Sequence, residues 1–167
     1  MKTLFLLRHA KSSWKRPELP DRLRPLNRRG REAALAMGRL LAKESLWPDL
    51  ILCSSAARTR ETCDRLLTAS SAAIPVRYLD ELYHSTVERM FEALQGISPD
   101  VDRVLIIGHN PEFAGFLAVV AGYQEKFPTG GLAALSIDIA GWSELRVRQP
   151  MMLKGLWRPR DLESSTG

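Results

Sequence analysis

The feature that most constrains the fold is an alternation: a short apolar run followed by a stretch with helical spacing, four times over. Residues 2–8, Asp49–Cys53, Val76–Leu79 and Val104–Gly108 are the apolar runs. Near-continuous hydrophobicity of this length suits parallel strands covered on both faces. Asn27 is placed to cap a helix over 28–43, in which Ala33, Ala34, Met37, Leu40 and Leu41 share one face. A second helix is expected over about 56–69. Ser85-Thr86-Val87-Glu88 reads as a capping box opening a third, to about Leu94. Pro111 sits in the first turn of a fourth, whose apolar face is Phe113, Phe116, Leu117 and Val120. Leu132–Ile139 and Glu144–Gln149 read as two more strands joined around Ala140-Gly141-Trp142. The expectation is an α/β fold: a three-layer α/β/α sandwich with a mostly parallel central sheet and an antiparallel edge.

A chain of 167 residues fits one such domain, set at 1–154, with the polar stretch 155–167 expected as a flexible tail. The apolar start Met1–Leu7 runs into Arg8-His9 without a small-residue cleavage site and is read as a buried strand, and no apolar run is long enough to span a bilayer. Two cysteines, Cys53 and Cys63, are too few for a disulfide framework, so reduced thiols and a cytoplasmic location are expected. The segment 11–27 carries Pro17, Pro20 and Pro25 among many charges and is expected to be a long functional loop. The net charge of +5 allows nucleic acid, an acidic membrane surface or a phosphorylated substrate and does not choose among them.

In open α/β sheets, sites lie beyond the carboxyl ends of the strands. The first run is followed by Arg8-His9 and the second by Ser54-Ser55-Ala56-Ala57-Arg58. Asp80-Glu81 follows the third, and the fourth ends in Gly108-His109-Asn110-Pro111. Two of the three histidines, two arginines and a carboxylate therefore converge on one rim. Arginines offer forked, permanently charged donors that match phosphate oxygens, and helices starting near Ala56 and Pro111 aim their positive ends at the same place. A neutral histidine in such a site can attack phosphorus. Singly, each residue has a structural explanation, a snorkelling Arg8 or a surface Arg58 among others; the convergence favours function. A metal centre is disfavoured, because ligand spacing such as HExxH is absent and Arg8 beside His9 would repel a cation. A phosphate-binding loop of the GxxxxGK[ST] type is absent as well.

These residues resemble a known family. Leu7-Arg8-His9-Ala10-Lys11-Ser12 is similar to the N-terminal signature of the histidine phosphatase superfamily, the phosphoglycerate mutase-like group, and in particular to its SixA-type phosphohistidine phosphatases. Gly108-His109-Asn110-Pro111 resembles the second histidine motif. Ser54-Ser55-Ala56-Ala57-Arg58 resembles the Ser-Pro-x-x-Arg motif with serine for proline, and Arg24–Gly30 the region before the first helix. The resemblance implies that His9 is the nucleophile, that Arg8, Arg58 and His109 clamp the phosphate, and that no metal or organic cofactor takes part. Glu81 falls where many members carry a general acid; His84 is the alternative.

The short chain lacks room for the large insertions that cover the pocket in longer members, which points to an open site, a phosphorylated protein as partner, and a wall formed by Lys11, Trp14, Lys15, Arg16, Arg22 and Arg24. Competing expectations are a phosphomonoesterase for a small phosphate ester, a mutase disfavoured by chain length, and an inactive phosphate-binding scaffold. A nucleic-acid-binding module lacks a supporting motif, so neither nucleic acid nor membrane is expected as partner.

Overall fold

The computed structural model describes residues 1–163. Six strands form one sheet: β1 (Lys2–Arg8), β2 (Leu50–Ser54), β3 (Val76–Leu79), β4 (Arg103–Gly108), β5 (Leu132–Ile137) and β6 (Met152–Trp157), in the order β3-β2-β4-β1-β5-β6. The first four are parallel, with Leu4 opposite Val104 and Cys53 opposite Ile107. β5 joins β1 antiparallel and β6 joins β5 antiparallel. The helices are α1 (Arg28–Lys43), α2 (Ala57–Leu67), α3 (Val87–Gln95), α4 (Glu112–Ala121) and α5 (Pro159–Glu163). This is the expected α/β architecture with a mixed sheet.

Successive strand residues point to opposite faces, and here both faces are covered. Leu4, Leu6, Val104 and Ile106 pack with Phe91, Phe116 and Leu117 of α3 and α4. Phe5, Leu7, Leu105 and Ile107 pack with Met37, Leu41 and Leu66 of α1 and α2. That two-sided burial is why β1, β2 and β4 carry no polar alternation; β3, at the sheet edge, exposes Arg77 and Tyr78. Each buried Leu or Met contributes about 2 kcal/mol. Lys2 opens β1 buried, its Nζ donating to the Pro99 carbonyl and to Asp102 Oδ1, both at 2.8 Å.

Asn27 caps α1 through a bond from the Gly30 amide. The third helix is capped by Thr86, accepting from the Arg89 amide, so the cap lies one residue beyond the expected Ser85. Pro111 stands at the cap of α4, one residue before the helix. Gly30 lets the 11–27 loop lie against α1: a Cβ there would stand 2.1 Å from the Lys11 carbonyl oxygen. Gly30→Ala is therefore expected to cost about 3 kcal/mol, the upper range for overpacking against an unyielding neighbour. A thermal melt checks it; an unchanged midpoint would mean that the loop lifts off α1 freely.

Two expectations near the C-terminus are corrected. Glu144–Gln149 is not a strand: Trp142 is fully buried, donates its indole N–H to the Val101 carbonyl at 2.7 Å and opens a short 3-10 turn through Glu144. Leu145 is buried but Val147 is exposed, so the apparent alternation does not define a strand. The last strand is instead Met152–Trp157, with a bulge opposite Ala134/Leu135. Gly155 makes room there for the Trp157 ring, whose tip would stand 2.5 Å from a Cβ. The ordered chain thus continues past 154, through β6 and α5, with Trp157 and Leu162 packed on the α1/α2 side of the sheet. Of the expected tail, 164–167 lies outside the described residues.

Candidate active site

β1 ends in Arg8 opposite Gly108 of β4, and the His9 amide donates to the Gly108 carbonyl at 3.0 Å. This pairing sets the two histidine-bearing strand ends side by side. The His9 and His109 ring centroids are 5.3 Å apart, and the two residues are 8% and 5% exposed. His9 Nδ1 lies 2.8 Å from the Ala10 carbonyl oxygen. A carbonyl only accepts, so Nδ1 carries the proton and Nε2 keeps its lone pair. Burial first, then the fields of Arg58, Arg8 and Arg24, push the His9 pKa down to about 4 despite the opposing bond to Ala10. His109 is pushed down to about 3 by burial, with His9 and Arg58 adding to it. Both rings are neutral at pH 7, the form in which an imidazole nitrogen is nucleophilic.

Arg58 comes from the first turn of α2 and is 8% exposed. It donates through Nη1 to the Asp21 carbonyl at 2.8 Å and through Nη2 to Asp21 Oδ2 at 3.0 Å. The Tyr83 hydroxyl donates to the same carboxylate oxygen at 2.6 Å, and the Tyr83 ring stands edge-on to His109 with centroids 5.5 Å apart. The bonds from Tyr83 and Arg58 hold the Asp21 carboxyl below its ordinary range. Arg8 is positioned by the Phe127 carbonyl, 2.9 Å from Nη1, which also accepts from Asn110 Nδ2. His109 Nε2 is 2.8 Å from Ser54 Oγ. Arg8 Nε, Arg24 Nε and His109 Nδ1 are buried and have no hydrogen-bond partner among the described residues. An unmet buried donor costs about 1–3 kcal/mol, so a ligand rich in acceptor oxygens is the chemical complement of this set.

The structure thus brings Arg8, His9, Arg58 and His109 together. Glu81 lies on the short turn after β3, and the Ser54–Leu79 register places that turn at the same end of the sheet. Its side chain is exposed and makes no hydrogen bond or ion pair among the described residues. His84 is exposed, has φ of 51°, and stacks on Tyr83 at 4.1 Å. Trp14 is not core: it is 67% exposed, with the Arg24 guanidinium 3.4 Å from its ring centroid. Asp21, Tyr83 and the hydrogen bond between Ser54 and His109 were missed by sequence reasoning. Asp21 is one of two acids, with Glu18, among the basic residues of the 11–27 loop, and nothing in sequence singled it out or marked Tyr83. The serine that replaces the motif proline also has work: Ser55 donates to Asp80, and Arg22 bonds both Ser55 and Asp80. Cys53 and Cys63 are free and fully buried, and burial pushes the Cys53 thiol well above its ordinary pKa.

Among the described residues, no three His, Cys, Asp or Glu side chains are grouped to hold a metal ion. Nor is any helix long and apolar enough to cross a membrane.

Residues 4–103 match the family described as the histidine phosphatase superfamily, branch 1. An uncharacterized protein of Mycobacterium leprae is 35% identical over 156 residues, covering 84% of this chain and 92% of the relative. A structure from Agrobacterium tumefaciens that bears the name phosphohistidine phosphatase SixA is 31% identical, with a TM-score of 0.81 over 95% of this chain and 98% of the other. A structure from Escherichia coli named for alpha-ribazole-5'-phosphate phosphatase is 19% identical, with a TM-score of 0.72 over 95% of this chain and 98% of the other; that likeness concerns the fold. The chain belongs to the histidine phosphatase superfamily. By class it is a phosphatase.

Proposed function

We propose that this chain removes phosphate from phosphohistidine in a protein, through a phosphohistidine intermediate on His9 and without a metal. The observation that carries the reading is the fixed tautomer of His9: Nδ1–H is engaged by the Ala10 carbonyl, leaving an unprotonated Nε2 among Arg8, Arg58 and His109. In the first step His9 Nε2 attacks phosphorus in line, forming one N–P bond as the substrate's N–P bond breaks. Arg8, Arg58 and His109 take up charge on the equatorial oxygens. The leaving imidazole takes a proton; Glu81 is the proposed donor, with His84 the alternative on the same segment. Water then attacks phospho-His9, releasing inorganic phosphate and the free histidine. Asp21 and Tyr83 hold Arg58 in place. A phosphoramidate needs less acid assistance than an ester, which fits the exposed, unengaged Glu81. The free, buried thiols Cys53 and Cys63 go with a cytoplasmic setting.

The test is turnover, with EDTA present, of a phosphohistidine peptide and of an aryl phosphate. Peptide turnover unaffected by the chelator is the expected result. Turnover of the aryl phosphate alone would move the assignment to a small phosphate ester, in line with the fold shared with the Escherichia coli structure. Loss of activity to EDTA, restored by zinc, would overturn the metal-free mechanism. Arg58→Ala is expected to lower kcat/KM by about 3 kcal/mol, roughly a hundredfold, the scale of a lost preorganised donor. Near-normal kinetics in that variant would remove Arg58 from the clamp.

A further inference from the structure

The catalytic rim extends sideways. Leu7 pairs with Leu132, and Leu132 with Trp157, so 128–131 and 158–160 lie at the same end of the sheet as His9. The Gly130 amide donates to the carbonyls of both Arg8 and His9. Beside it opens a recess of about 450 Å³ lined by Lys11, Arg29, Lys126, Arg158 and Arg160, with Glu125 its one acidic wall residue. These five cations come from four separate segments of the chain. Arg158 has a distant partner in Glu125, 3.9 Å away, and Arg160 one in Asp161, also 3.9 Å away. Lys11, Arg29 and Lys126 are exposed and make no ion pair among the described residues. Arg29 also lines a second recess, of about 510 Å³, with Lys15, Arg16, Arg28 and Arg31.

Stability does not account for this arrangement. The N-terminus of a helix is its positive end and favours acidic side chains, yet the first turn of α1 carries Arg28, Arg29 and Arg31 and no acid; Arg28 pairs with Glu32 and Arg31 with Glu61, which leaves Arg29 without an ion pair among the described residues. Gathering uncompensated cations at one recess is unfavourable without an anionic complement. Among the described residues, none of the five side chains has a hydrogen bond or ion pair to Arg8, His9, Arg58 or His109, so their charge bears on what lies beside the phosphate. We propose that this basic recess docks an acidic stretch flanking the phosphohistidine of the protein substrate, so that substrate choice resides in charge outside the phosphate pocket. The inference rests on the phosphoprotein reading above.

The experiment uses two phosphohistidine peptides of equal length, one flanked by four glutamates and the other by four glutamines, with an aryl phosphate as reference. The wild-type protein is expected to turn over the acidic peptide about tenfold more efficiently at low salt, with the advantage lost at high salt. The double variant Arg29→Glu, Lys126→Glu is expected to raise KM for the acidic peptide about tenfold. Its kcat and its aryl phosphate turnover should stay unchanged. Equal turnover of the two peptides by the wild type, or an unaltered KM in the variant, would overturn the docking assignment alone. An active aryl phosphatase that hydrolyses neither peptide would overturn the protein-substrate reading, and this assignment with it. Competition by transfer RNA at lower charge concentration than the acidic peptide would make the recess a nucleic-acid surface and overturn it too.

Discussion

His9→Ala should abolish turnover on every substrate while the protein stays folded. The deleted ring supplies the only proposed nucleophile, and His109 cannot replace it: its Nε2 is engaged with Ser54, and its ring centroid lies 5.3 Å from that of His9. What remains is the proposed clamp of Arg8, Arg58 and His109, which would have to wait for direct attack by water. A loss of at least about a thousandfold in kcat follows, in line with removal of a nucleophile from a unit that acts as a whole. The folding cost is small by comparison, because the variant loses one bond to the Ala10 carbonyl, worth about 1 kcal/mol. It also relieves the burial of a titratable ring at the centre of several arginines. Circular dichroism and a thermal melt establish that the variant is folded. Rapid quenching into alkali, with labelled substrate, then looks for the acid-labile phosphoprotein that wild type should form and the variant should not. A variant within tenfold of wild type, or one that still accumulates label, would sink the histidine mechanism.

The parts of this site legible in the sequence are those fixed by strand ends. Arg8-His9 and Gly108-His109 each terminate an apolar run, and the parallel pairing of β1 with β4 makes them neighbours. Arg58 was legible for the same reason, as the first turn after β2. What sequence could not supply was the second layer. Asp21 reaches Arg58 across 37 positions and Tyr83 reaches Asp21 across 62, through loops whose path depends on the whole fold. The C-terminal misreading has a different origin. Glu144–Gln149 mimics strand alternation, while Met152–Trp157 is interrupted by Lys154 and Gly155 and straddles the start of the stretch expected as a tail. The second is nevertheless the strand, because an edge strand tolerates an exposed lysine and this glycine makes room for Trp157. Local pattern loses to tertiary packing at this edge of the sheet, where β6 is half-buried, and it wins at the centre, where both faces of β1 and β4 are buried.

Acid should destabilise this protein well before its carboxylates titrate. His9 and His109 have pKa values near 4 and 3 in the folded chain against an ordinary 6.5. Because the folded values are depressed, the unfolded chain takes up a proton on each ring as pH falls through about 6.5, and the folded chain does not. Stability is therefore fully present above pH 6.5 and is lost progressively below it, until the folded rings protonate in turn. At pH 5 the loss is about 2 kcal/mol per ring and about 4 kcal/mol for the pair, a large share of a typical domain's 5–15 kcal/mol. The paired carboxylates push in the same direction but in a lower window: Asp21, Asp80 and Asp102 are depressed below an ordinary 3.8, so their contribution is retained at pH 5. Urea unfolding at pH 7.5 and 5.0 separates the two sources. Wild type is expected to lose about 4 kcal/mol between these conditions, and His9→Gln and His109→Gln about half that each, since glutamine does not titrate. Equal stability of the wild type at the two pH values would mean that the rings are solvated or protonated in the folded protein. That would also remove the neutral nucleophile on which the proposed mechanism depends. The link between the two follows from one cause: the burial that keeps Nε2 of His9 unprotonated for the proposed attack is the same burial that makes the folded state sensitive to acid.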